Sequence, residues 1–246
     1  MAKEVIRNAS LFLHSKQLAS NTNAVEFSAT ADKVVSTNFA SAGWEESLQG
    51  IRTTELSCDL MLESAIEPET TLSALVENAT DVPFSVTKTY PPATEDVCWF
   101  STVVSLYITF KAALGDLWRG SMKFGNRATA VRGYVVEYNA DRTATGVSAS
   151  CTMPAAAATD RVWIAVHVTA ASGTLPTLDL VLESDALDTY GSPVTRITVP
   201  QFTDVGSYIT SIAGAVTDVE YRVSATVGGT LPHFTYMVAM AIAPAS

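Results

Sequence analysis

Lysine is missing from the last third of this chain: residues 154–246 carry Arg161, Arg196 and Arg222 as their only cations, against eight acidic side chains. Basic residues are scarce throughout, 15 against 25 acidic ones for a formal net charge of −10. A protein that grips nucleic acid through its phosphates needs the opposite sign, so nucleic-acid binding is disfavoured, although passage of nucleic acid past the protein is not. Cysteine is equally sparse. Cys58, Cys98 and Cys151 are odd in number and widely separated, a spacing that suits neither a disulfide framework nor a zinc knuckle and predicts small reduced residues, at least two of them in strands. His14, His167 and His233 lie far apart, without metal-ligand spacing. No apolar run approaches the roughly 20 residues that span a bilayer, and residues 1–7 (MAKEVIR) are charged where a signal peptide is apolar, so the expectation is a protein made in a cytoplasm, with no membrane partner.

Catalytic signatures are also absent. There is no GxSxG, Walker loop, Rossmann glycine pattern or HExxH. Acidic neighbours such as Glu45-Glu46 and Glu95-Asp96 point apart on a strand or turn and read as solvated charge rather than a glycosidase pair. The chain is expected to have no enzymatic activity, cofactor or metal.

What the sequence does contain is alternation. With 48% apolar residues in a length of 246 it can bury a sizeable core. In 160–169 (DRVWIAVHVT), Val162, Ile164, Val166 and Val168 share one face of an extended chain; 177–184, 195–199, 207–212, 220–227 and 233–242 repeat the pattern. These make about six strands of an antiparallel β-sandwich over 155–246, with a break in the proline-bearing segment 151–160. Residues 1–150 form a second β-rich part, with strands over 53–64, 97–111, 118–125 and 130–139. A helical turn is expected at 43–50 and a short helix at 68–79, where Pro68 and Glu69 suit a first turn and Leu72, Leu75 and Val76 form a stripe. The tetrapeptide GTLP occurs twice, at 173–176 and 229–232. Glycine supplies positive φ and proline withholds a ladder donor, so both copies read as hairpin closures.

Four stretches, taken in order, resemble the major tail tube protein of long, non-contractile-tailed bacteriophages: 42–64 (AGWEESLQGIRTTELSCDLMLES), 115–146 (GDLWRGSMKFGNRATAVRGYVVEYNADRTATG), 161–185 (RVWIAVHVTAASGTLPTLDLVLESD) and 216–242 (VTDVEYRVSATVGGTLPHFTYMVAMAI). The resemblance implies a mainly β fold, an N-terminal tail-tube β-sandwich or barrel with a short helix plus a peripheral C-terminal antiparallel β-sandwich. It also implies a homo-oligomer of stacked hexameric rings in the virion tail, in contact with other tail proteins, around a channel that phage genomic DNA crosses without specific binding. The sequence departs from the simplest family pattern in its long 80–96 segment.

A tube needs an inner wall to which DNA does not adhere, and acidic side chains within a Debye length of about 8 Å repel phosphate. In 53–64, Leu56, Cys58, Leu60 and Leu62 share one face while Glu55, Asp59 and Glu63 lie on the other and are the channel-lining candidates. The 80–96 segment is expected to be an extended arm touching a neighbouring ring or subunit, with Pro83, Phe84, Tyr90, Pro91 and Pro92 as contact candidates. Two other readings remain. A β-sandwich of this kind is also what a glycan-binding tail or adhesin module looks like, with Trp163, Tyr190 and Tyr208 as surfaces for sugar rings. The echo between 58–64 (CDLMLES) and 178–184 (LDLVLES) would instead make both parts tube-type domains, three chains then building a pseudo-six-fold ring.

Overall fold

A computed structural model describes residues 9–18, 22–35, 47–62, 81–111, 118–126, 128 and 130–244. The described residues are all β, with antiparallel pairing between neighbouring strands and no helix among them. The chain divides into two compact units: residues 21–81 with 103–130, and residues 1–20 with 82–102 and 131–246. This partition is discontinuous in sequence and does not follow a break at 151–160.

The smaller unit is built on strands β3 (Thr22–Val35) and β4 (Ser47–Leu62), followed by residues 103–111 of β6 (Val97–Lys111) and then β7 (Trp118–Asn126). Hydrogen bonding orders them β6-β7-β4-β3. Strand alternation decides which side faces inward: Leu56 and Cys58 of β4 are paired with Phe124 and Met122 of β7, and all four are buried. The expected helical turn at 43–50 is overturned over 47–50, where the chain enters β4 and pairs with β3. Ladder hydrogen bonds to β3 outweigh a local helical preference there. The expected helix at 68–79 and residues 43–46 lie outside the described residues.

The larger unit contains β1 (Ser10–Leu13), β2 (Lys16–Gln17), β5 (Val82–Thr87), the first part of β6, β8 (Val131–Arg142), β9 (Gly146–Val147), β10 (Cys151–Thr152), β11 (Asp160–Asp185), β12 (Val194–Thr198), β13 (Gly206–Ala213) and β14 (Glu220–Pro244). Its spine is the ladder between β11 and β14, which runs from Asp160↔Pro244 to Asp185↔Glu220 with register shifts between residues 168 and 177 of β11. Before the shifts, β11 also pairs with β13, and the facing half of β14 pairs with β8. Beyond them, β11 pairs with β12, and β14 with β9 and β10.

The two halves of this ladder are opposite layers of one sandwich. Val162, Ile164, Val166 and Val168 from the first half pack in a single core with Leu178, Leu180, Leu182, Tyr221, Val223 and Ala225 from the second. A long strand pair that changes sheets must bend, and bulges supply the bend. The other face of the first layer is also covered. Ala165, Met237, Ala239 and Ala241 pack with Phe12, Cys98, Phe100, Val131 and Val135 in a second core. The pairing of β8 with β14 ties residues 131–142 to the C-terminal strand across the segment read as a boundary.

Candidate functional site

The bend is where both GTLP copies lie. They are mid-strand and opposite each other, with Thr174 paired to Thr230. The expectation of two hairpin closures is therefore corrected: the glycines bend a continuous ladder instead of reversing the chain. Gly173 has φ +118° and Gly229 φ +103°, and each makes way for the other copy. A Cβ on Gly173 would sit 2.5 Å from the Leu231 carbonyl oxygen, and one on Gly229 would sit 2.5 Å from that of Leu175.

The leucines take the outer side of the bend. Leu175 and Leu231 have φ 51° and 50°, in the left-handed region that costs an L-residue roughly 1–2 kcal/mol. They are 84% and 78% exposed. Among the described strands, β13, β12, β8 and β9 all stop short of the bend, so residues 172–177 of β11 and 228–233 of β14 have ladder partners only in each other. No charged side chain occurs in 169–178 or 223–232. The tip of the corner thus presents two exposed leucines among uncharged residues, with His233 and Asp141 in contact at its base, in a protein of net charge −10.

A polar brace holds the base of the ribbon. Tyr236 Oη donates to Glu137 Oε2 at 2.9 Å, and Arg142 Nη2 lies 3.6 Å from Glu137 Oε1 while donating to the Gly146 carbonyl at 2.8 Å. Burial, followed by the Glu137 carboxylate, pushes the Tyr236 phenol well above its ordinary range. Outside the brace, His233 Nδ1 lies 2.7 Å from Asp141 Oδ1 on the surface.

Two histidines that are far apart in sequence meet in the fold. The His167 ring donates from Nδ1 to the His14 carbonyl oxygen at 2.7 Å, because a carbonyl only accepts; Nε2 then accepts from the Ser85 hydroxyl at 2.8 Å. The Ser85–His167 pair has the spacing of a nucleophile and its base, but both residues are fully buried and burial lowers the His167 pKa to about 4. A base that weak with no path for substrate braces the core. No group of three or more His, Cys, Asp or Glu suited to a metal ion occurs among the described residues.

The residues picked out by sequence fall in several environments. Glu55 and Asp59 lie on the face of β4 opposite Leu56 and Cys58, as alternation requires, but Glu55 Oε2 is 3.0 Å from Lys123 Nζ, so its charge is locally matched. Asp59 is exposed; Glu63 lies outside the described residues. The extended-arm reading of 80–96 is corrected over 82–87, which form β5 paired with β1 from Ser10↔Thr87 to Leu13↔Phe84. Pro83, Phe84 and Pro92 are buried, leaving Tyr90 and Pro91 exposed after a cis Tyr90-Pro91 bond. Asp96 closes the following turn by accepting from Thr89 Oγ1 and from the Ala93 amide at 2.8 Å. The turn is fastened to β8 by Glu95 N to Val135 O and Val135 N to Asp96 O, at 2.8 and 2.9 Å.

Trp163, Tyr190 and Tyr208 form no common platform. Trp163 packs on the second core and Tyr208 on the first, whereas Tyr190 has the Arg222 guanidinium 4.0 Å from its ring centroid. All three cysteines are free and buried, with thiol pKa values pushed up to about 12, largely by desolvation. Leu175 and Leu231 escaped the sequence reading as a site. The visible signal was the duplicated tetrapeptide, whose two copies only the β11/β14 register brings together.

No protein-family model matches the chain, and no curated protein matches its sequence. Among solved structures, it is similar to a chain in the virion of a native gene transfer agent particle, at 14% identity over 49% of this chain and 92% of that one, with TM-score 0.40. It is also similar to the SPP1 Dit protein, described as a paradigm of the hub adsorption apparatus in phages infecting Gram-positive hosts, at 14% identity over 96% and 99% of the two chains, with TM-score 0.36. A third likeness is to a chain of the phage P2 baseplate in its activated conformation with calcium, at 9% identity over 96% and 98%, with TM-score 0.35. Similarities at this level assign neither family nor role.

Proposed function

We propose that the chain is a structural subunit of a bacteriophage tail, assembled in the host cytoplasm, that closes into stacked hexameric rings forming a tube for genome passage. The observation that carries this reading is the edge strand β3. It runs 14 residues and, among the described strands, pairs only with β4. A long open edge is a template for pairing with another chain, and native proteins either blunt such an edge or cover it by assembly. In a ring, a neighbouring copy covers it, continuing one sheet from subunit to subunit. The acidic balance suits a wall that DNA passes without adhering, with Glu55, Asp59 and Glu63 as the proposed lining.

The test is electron microscopy and light scattering on the purified protein carrying a proline in β3. Successive amides of a strand point to opposite sides, so of Ser28→Pro and Ala29→Pro, one removes an outward N–H and spares the ladder to β4. That variant is expected to keep its thermal unfolding and lose its rings. Rings that form normally, or a wild-type protein that stays monomeric at high concentration, refute the reading. Three-fold rather than six-fold symmetry in the images would replace the hexamer by the three-chain ring.

A further inference from the structure

We draw no further inference here: the strongest candidate, the surface patch made by the exposed Leu175 and Leu231 at the β11/β14 bend, carries nothing because nothing in the structure shows what covers it.

Discussion

Replacing Gly229 by alanine tests the corner at its tightest point. The new Cβ would meet the Leu175 carbonyl oxygen at 2.5 Å and the Pro176 Cα at 2.9 Å, both backbone atoms, at φ +103°. Backbone strain at such a φ costs roughly 1–3 kcal/mol. Forcing an added methyl into a closed space costs about 1–3 kcal/mol more. A total of about 2–6 kcal/mol is a large share of the 5–15 kcal/mol that typically holds a domain together. Gly173→Ala should cost a similar amount, since its Cβ meets the Leu231 carbonyl oxygen at 2.5 Å and the Pro232 Cα at 3.0 Å. The two glycines hold one crossing shut from its two sides. Once either alanine has opened it, the other should cost less, and the double variant should fall short of the sum by about 0.5–3 kcal/mol. Urea unfolding followed by circular dichroism at 15 °C measures all three variants. Gly191→Ala is the control, because a Cβ there meets nothing within 4 Å, and its effect should lie within about 0.5 kcal/mol. Strict additivity, or losses near those of the control, would show that the glycines sit in independent turns and would refute the continuous bent ladder.

Three further outcomes follow from the interior. The His167 pKa falls from an ordinary 6.5 to about 4 in the fold, so the unfolded chain binds the extra proton first and stability is lost as pH drops from about 6.5 to about 4, by roughly 3 kcal/mol in all. His167→Gln should flatten that slope in pH-dependent urea titrations; an unchanged slope assigns the acid sensitivity elsewhere. Tyr236→Phe removes the phenol that donates to the buried Glu137 carboxylate at 2.9 Å and should cost about 1.5–3 kcal/mol in the same assay, while a loss below 0.5 kcal/mol would mean that other donors satisfy Glu137. Finally, Cys58, Cys98 and Cys151 are buried with thiol pKa values raised to about 12, so none should react with an aromatic disulfide reagent at pH 8 in the native protein and all three should react in denaturant. Rapid native labelling of any of them would place that strand at the surface.

Alternation alone determined the strands and their inward faces. Val162, Ile164, Val166 and Val168 share a core as their spacing requires, and Leu56 and Cys58 face inward while Glu55 and Asp59 do not. This works because side-chain direction in a strand is a local property with a fixed period of two. Weak alternation hid β1 and β5: in Ser10–Leu13 every residue is buried, and in Val82–Thr87 five of six are, and a run buried on both faces carries no period to read. The competition between helix and strand at 47–50 was likewise settled by β3, a partner distant in sequence.

The meaning of GTLP shows most clearly what only the tertiary structure decided. A glycine with positive φ followed by a proline says locally that a strand is interrupted, and that much was legible. Whether the chain reverses or bends there depends on what lies across the ladder, and each copy faces the other from 56 positions away, with Thr174 set against Thr230. Register is a relation between strands, fixed by the packing of two sheet halves around one core. Only that relation turns two loop-like tetrapeptides into a single corner, with Leu175 and Leu231 exposed on either side of the Thr174–Thr230 pair.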